Sequence, residues 1–304
     1  MNGFGIREHI KIEVPKVLRS ERPLRGQDIP MAINMGRFTV FGMRWHMRCV
    51  QVENLIISGD WAVQREAHPL VLLNSLGTSH SSWAPVVDQL NGSPIRYDMR
   101  GHGLSDGPPG PYSIEMLAED LIGLLDELDV ERVVLCGLSI GGMVAMQTAA
   151  MAPERLRGLV LCDTTLKMPE PAMWTERARQ AREEGLDELA DAAIERWFTP
   201  EFRKTPFARG IRNMVARTSP EGYAGCCEAI GSMDLEEAAR SIRVPTRVFV
   251  GEHDPATPVA AAEAICAAIP QAQLTVMPGL YHLGCIERPD LLAPELERFV
   301  AEVS

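Results

Sequence analysis

From residue 70 onward the chain alternates between short, nearly continuous apolar runs and longer stretches of helical period. The runs are Leu70–Leu73 and residues 133–136, 159–162, 248–250 and 274–277. Apolar runs of this length, without strict alternation, suit strands covered on both faces. The stretches between them predict helices over residues 82–90, 114–128 behind the candidate N-cap Ser113, 140–151, 259–268 and 289–303. Strand and helix in turn predict an α/β protein with a mostly parallel central sheet and helices on both faces. Upstream the pattern changes: Met43, Trp45, Met47 and Cys49 alternate with Arg44, His46 and Arg48, which predicts one half-buried antiparallel strand. Residues 38–41 would pair with it across Gly42.

Two segments lie outside this rhythm. Residues 1–36 have no clean periodicity and scattered Pro and Gly, and read as an N-terminal extension outside the core, with a start at Met31 or Met35 as the alternative. Between residues 167 and 240 the strand signal disappears and helical segments follow one another around Trp174, Ile194, Met214 and Cys226. A helical insertion between two strands of such a sheet is expected to act as a lid over the strand ends, where open α/β sheets bind ligands. A purely structural helical layer is the other reading. The expected division is therefore a core of residues 37–166 and 241–304 with a lid of 167–240.

Composition narrows the class. With 304 residues, 46% apolar and 23% charged, the chain has the make-up of a soluble globular protein. Its formal charge of -11, with no Lys/Arg cluster against it, argues against a nucleic-acid partner. Seven cysteines sit mostly in apolar contexts without metal-ligand spacing, and the adjacent Cys226 and Cys227 read as packed helix residues rather than a vicinal disulfide. The first residues lack the apolar core of a signal peptide, and no stretch approaches the roughly eighteen apolar residues of a membrane span. A cytoplasmic protein without membrane partner is expected; a homo-oligomer remains open.

Candidate chemistry begins at Cys136-Gly137-Leu138-Ser139-Ile140-Gly141-Gly142, a Gly-x-Ser-x-Gly pattern between an apolar run and a helix. The pattern alone is weak, but this context is that of a nucleophile elbow, a tight strand-to-helix turn that lifts a serine above the sheet. A serine hydroxyl needs a base, and the base needs an orienting acid. In this topology the order is Ser, acid, His. Asp254 follows the run at 248–250 and His282 follows the run at 274–277, so Ser139, Asp254 and His282 are the candidate triad. Asp163, also just beyond a strand, competes for the acid role. His102 reads as structural, His80 is open between pocket and surface, and His253 points away from the acid beside it. The backbone amides of Leu76 and Ile140 are the candidate oxyanion donors. No metal or organic cofactor is required.

Several segments together resemble the 3-oxoadipate enol-lactonases of the α/β-hydrolase superfamily. They are Asn74-Ser75-Leu76-Gly77-Thr78, Tyr97-Asp98-Met99-Arg100-Gly101-His102-Gly103, the elbow, Glu195-Arg196-Trp197-Phe198-Thr199-Pro200 and Gly251-Glu252-His253-Asp254-Pro255-Ala256-Thr257-Pro258. The elbow and the Arg-Gly-His-Gly turn belong to the whole superfamily. The segments around Trp174 and Gly225-Cys226-Cys227-Glu228-Ala229-Ile230 narrow the likeness, which spans roughly residues 37–300. The resemblance implies an α/β-hydrolase fold and a small enol-lactone substrate bearing a free carboxylate, opened to 3-oxoadipate in the breakdown of aromatic acids. It also implies a cation in the lid for that carboxylate, with Arg177 and Lys167 as candidates and Trp174 as an apolar wall. The chain departs from the family in its extension, in the connection from Val52 to Pro69, in the short link from Leu90 to Ile95 and in bulky Tyr281 beside His282. A related hydrolase of another ester, lactone or carbon-carbon bond is the main alternative. A non-catalytic binding protein is disfavoured because Ser, Asp and His are all present.

Overall fold

A hairpin opens the described part of the molecule. The structure, a computed structural model, describes residues 38–40, 43–45, 48–61 and 69–304. Strands β1 (Phe38–Val40) and β2 (Met43–Trp45) pair antiparallel, Phe38 opposite Trp45. The single strand expected over residues 43–49 is in fact two: β2 ends at Trp45, and β3 (Arg48–Val52) belongs to a different sheet. Alternation fixes which face a side chain takes but says nothing of the partner strand. The connection expected from Val52 to Pro69 likewise contains a strand, β4 (Leu55–Asp60), which turns back on β3 through Glu53 at φ 51. The N-terminal extension expected over residues 1–36 lies outside the described residues.

The main sheet continues with β5 (Leu70–Leu73), β6 (Ile95–Tyr97), β7 (Val133–Leu138), β8 (Leu156–Cys162), β9 (Thr246–Gly251) and β10 (Ala272–Met277). Its order is β10-β9-β8-β7-β5-β6-β4-β3. Strands β5 to β10 run parallel, and β4 and β3 extend the sheet antiparallel. β5 and β7 are buried along their whole length, as their unbroken apolar runs require. The chain leaves β5 towards β6 on one side and returns to β7 on the other, so the crevice between β5 and β7 is the topological switch point where open α/β sheets bind ligands.

Helices Ile140–Met151, Val259–Ala268 and Pro289–Val303 occupy the positions the period predicts, and Ile114–Glu127 starts where the Ser113 hydroxyl accepts from the Met116 amide at 3.1 Å. The helix expected over 82–90 is shorter, a 3-10 turn His80–Trp83 followed by Ala84–Val87. Helix Ile140–Met151 lies between β7 and Ile114–Glu127, and apolar residues almost all round it match that burial.

Between β8 and β9 stand helices Pro171–Glu184, Asp187–Trp197, Pro206–Ala216, Pro220–Ser232 and the short Glu236–Ser241. The first packs along the fourth and the second against the third. The two ends of this insertion are tied together, since the Leu235 amide donates to the Leu166 carbonyl at 2.9 Å and Lys167 bridges Asp234. All seven cysteines are free thiols, with Cys226 and Cys227 buried. Among the described residues no helix is long and apolar enough to cross a membrane.

Candidate active site

The turn after β7 holds Ser139 at φ 57 and ψ -117, a conformation that L-residues rarely adopt and that persists only where the surroundings enforce it. The enforcement is local. The Ser139 amide donates to the Cys162 carbonyl at 2.9 Å, and the Thr164 hydroxyl donates to the Ser139 carbonyl at 2.8 Å. Gly137 and Gly141 make the turn sterically possible. A Cβ on Gly137 would run into the Gly141 carbonyl, and one on Gly141 into the Leu73 carbonyl at the end of β5. Gly137→Ala is therefore expected to destabilise the fold by about 1 to 3 kcal/mol, as overpacking against fixed backbone does. Denaturant titration beside wild type checks this; an unchanged midpoint would contradict the packing argument.

The loops after β9 and β10 bring two more side chains to the same edge. His282 Nδ1–H donates to Asp254 Oδ2 at 2.7 Å, and His282 Nε2 accepts from the Ser139 hydroxyl at 3.0 Å. Both are within reach for proton transfer. The two loops are stitched to each other, Glu252 amide to Met277 carbonyl at 3.0 Å and His253 amide to Leu280 carbonyl at 2.8 Å. All three side chains are largely shielded, with Ser139 9% exposed and His282 and Asp254 3% each.

Asp254 is held as an anion. Burial pushes its carboxyl up, but His282 and the hydrogen bonds from Thr257 outweigh burial and leave it below the usual carboxylate range. Its Oδ1 accepts from the Ala256 and Thr257 amides at 2.8 and 3.1 Å, and its Oδ2 also accepts from the Thr257 hydroxyl at 2.6 Å. The bond from the Ala256 amide, two residues on, makes an Asx turn at Asp254, and that turn brings the Thr257 hydroxyl back onto the same carboxylate.

Asp163 is fully buried and sits nearby at φ 45, yet it is bonded elsewhere: its Oδ1 accepts from the Gly251 amide at 2.8 Å. Burial first, and the charge of Asp254 second, push its carboxyl well above the usual carboxylate range, which favours its protonated form. Of the two candidate acids, the structure brings Asp254 to the imidazole.

The Leu76 loop leaves β5 directly beside the elbow, because Leu73 is paired with Gly137. Among the described residues neither the Leu76 nor the Ile140 amide donates to a protein acceptor. The loop is held from two sides at the next residue. The Gly77 amide donates to His102 Nε2 at 2.8 Å, and the Thr218 hydroxyl of the insertion donates to the Gly77 carbonyl at 3.0 Å. His102 is buried, and burial keeps its pKa below the ordinary histidine value, as an imidazole that must accept this bond requires. His80 pairs with Asp98 at 2.9 Å, while His253 is more than half exposed.

Of the three insertion residues expected at the substrate, Trp174 and Arg177 stand together and Lys167 apart. Trp174 is buried with its Nε1 unpartnered among the described residues, and the Arg177 guanidinium lies 4.5 Å from its ring centroid. Lys167 is exposed and paired with Asp234 at 2.6 Å. Among the described residues no group of three or more His, Cys, Asp or Glu could hold a metal ion.

An eight-stranded, mostly parallel sheet with a strained serine at its switch point defines the class, that of the α/β hydrolases, and the alpha/beta hydrolase family profile matches residues 70–295. Within the class the similarity is narrower. The 3-oxoadipate enol-lactonase 2 of Acinetobacter baylyi is 36% identical over 230 residues, covering 74% of this chain and 86% of that protein. The 3-oxoadipate enol-lactonase 1 of the same organism is 31% identical over 78% of this chain and 90% of its own length. The crystal structure of the enol-lactonase from Burkholderia xenovorans superposes with a TM-score of 0.80 at 37% identity, covering 83% of this chain and 99% of that one. The chain belongs to the 3-oxoadipate enol-lactonase family of the α/β hydrolases.

Proposed function

We propose that the protein is a serine hydrolase that opens 3-oxoadipate enol-lactone to 3-oxoadipate through an acyl-enzyme on Ser139. The observation that carries this reading is the continuous hydrogen-bonded line from Ser139 Oγ through the His282 ring to Asp254. It stands at the sheet edge of a chain whose relatives are named for that lactone.

In the proposed reaction Ser139 Oγ attacks the ring carbonyl carbon as its proton passes to His282 Nε2. The oxyanion accepts from the Leu76 and Ile140 amides, each such donor being worth about 2.7 to 4 kcal/mol of barrier. The ring C–O bond breaks, and the departing enol oxygen takes the proton back from His282. That oxygen remains tethered to the acyl group and could re-close the ring. Tautomerisation of the enol to a ketone removes the nucleophile and makes opening one-way. A water that gives its proton to His282 then attacks the acyl carbon, and His282 passes that proton to Ser139 Oγ as the acyl bond breaks and Ser139 is freed. The helical insertion acts as the lid over this chemistry, with Trp174 and Arg177 lining the substrate; the exposed Lys167 is engaged with Asp234.

The test is spectrophotometric loss of freshly generated enol-lactone beside a neutral aryl ester. We expect kcat/KM for the lactone to exceed that for the ester by orders of magnitude. Ester hydrolysis with no lactone turnover would keep a serine hydrolase and discard this substrate.

A further inference from the structure

Two threonines stand behind the candidate oxyanion donors. The Leu76 amide belongs to the peptide unit whose carbonyl is that of Ser75, and the Ile140 amide to the unit whose carbonyl is that of Ser139. Both units are trans, so each carbonyl points away from its own N–H, and fixing the one fixes the direction of the other. The Thr78 hydroxyl donates to the Ser75 carbonyl at 2.7 Å, and the Thr164 hydroxyl donates to the Ser139 carbonyl at 2.8 Å. Both side chains are buried. A hydroxyl has one proton to give, and each of these gives it to a peptide whose other end is an oxyanion donor.

The two bonds arise from unrelated local structure. Leu138 is paired with Cys162, and the Ser139 amide donates to the Cys162 carbonyl at 2.9 Å as the next rung of the parallel ladder. The rung after it would run from the Thr164 amide to the Ser139 carbonyl. Ser139 at φ 57 and Asp163 at φ 45 turn the chain out of the ladder there, and the Thr164 hydroxyl donates instead. Gly142 keeps room for it, since a Cβ on that residue would stand 2.8 Å from Thr164 Cβ. On the other side, Ser75 to Thr78 form a turn closed by the Thr78 amide on the Ser75 carbonyl at 3.1 Å, with Gly77 at φ 74 in its third position. That turn is closed without the hydroxyl, which adds a second and shorter bond to the same oxygen.

Neither carbonyl depends on its threonine for a partner. Ser75 also accepts from Asn74 Nδ2 at 3.4 Å, and Ser139 from the Gly142 and Met143 amides at 2.9 and 3.1 Å. What the hydroxyls add is orientation and polarisation, because a hydrogen bond accepted at a carbonyl strengthens donation from the N–H of the same peptide. We infer that Thr78 and Thr164 are positioning residues of the oxyanion site, each acting through one peptide unit on one of its two donors. This rests on the hydrolase reading above and deepens it.

Removing a direct oxyanion donor costs about 10^2 to 10^3 in kcat. Cooperative strengthening of about 10 to 30% per bond then predicts a loss of about two- to eightfold in each of Thr78→Val and Thr164→Val. The two act on separate amides, so the double variant should lose about tenfold or more. Valine keeps the shape and leaves neither carbonyl without a donor, so the variants should fold, which melting curves check. Where one does not, Thr78→Cys or Thr164→Cys, with a weak donor in place of the hydroxyl, is read in the same way.

The substrate is 4-nitrophenyl acetate. Acylation and deacylation use the same two amides, so the loss should lie in kcat with KM changed by less than about twofold. Thr78→Ser and Thr164→Ser, which retain the donor, should recover most of it. The second arm is inhibition by an alkyl trifluoromethyl ketone. Ser139 Oγ bonds to its carbonyl carbon, the serine proton passes to His282 Nε2, and the carbonyl oxygen takes the negative charge. The inhibition constant should rise by the factor by which kcat falls. A double variant with kcat within about twofold of wild type, below what the two bonds together predict, overturns the inference. So does a loss confined to KM, a loss that serine does not repair, or an unchanged inhibition constant. Ser139→Ala on the same ester separates the two readings. If it is inactive while the threonine variants match wild type, the hydrolase stands and this inference falls. If it turns over the ester as wild type does, the hydrolase reading fails and takes the inference with it.

Discussion

Ser139→Ala is expected to lower kcat by a factor on the order of 10^4 to 10^6 while leaving the protein folded. The magnitude follows from how a nucleophile and its base act as a unit: removing either member of such a pair costs nearly as much as removing both. His282→Ala should match it, and the double variant should be little worse than either single one. Stability should barely move. Alanine takes the same strained backbone at position 139, and the change removes one side-chain hydrogen bond, worth about 1 kcal/mol. In a protein of this size that shifts the melting temperature by about 2 to 4 °C. Single-turnover kinetics on purified variants, with melting curves alongside, provide the check. Near-normal turnover in either variant would remove Ser139 and His282 from the proposed mechanism, and a collapsed melting curve would void the comparison.

How much of this was legible before the structure depended on whether the signal was local. Helices 140–151, 259–268 and 289–303 end where the period ends, because each is bounded by its own punctuation of serine, proline or a following strand. The positions of Ser139, Asp254 and His282 were readable because each directly follows an apolar run that must be a strand, and parallel strands deliver their following loops to one edge. β4 was not readable. Two isoleucines followed by Ser58, Gly59 and Asp60 make no pattern until the register against β3 and β6 shows which face is covered. His102 looked structural and is buried, but its bond to the Gly77 amide crosses 25 residues of chain. Lys167 is engaged by Asp234, 67 residues away, a pairing that no local pattern announces.

Asp254→Asn should be the most damaging isosteric change in the molecule, and Asp163→Asn, one strand away, should be among the mildest. An asparagine at 254 can turn an N–H towards His282 Nδ1. The imidazole then carries its proton on Nε2 and can no longer accept from Ser139, an effect on the order of 10^4 in kcat where such a tautomer switch has been enforced. Asp254 also supports the fold in one pH direction. Its carboxyl lies below the usual range, so its contribution is present above the unfolded-state pKa and is lost as pH falls through the folded one. Asp163 works with the opposite sign. Its carboxyl is raised, so the folded state keeps a proton that the unfolded chain releases above about pH 4. Stability from this group is therefore full below that pH and declines as pH rises, by about 1.4 kcal/mol per unit until the buried acid ionises. Asparagine imitates the protonated acid, keeps an oxygen for the Gly251 amide and does not titrate. Denaturant unfolding at pH 5 and pH 8 should thus show Asp163→Asn gaining on wild type as pH rises, with turnover within a few-fold, whereas Asp254→Asn is inactive at both. Should Asp163→Asn instead lose activity to the same extent, the proton it holds would be needed at His282, and the orienting acid would have to be the coupled pair rather than Asp254 alone.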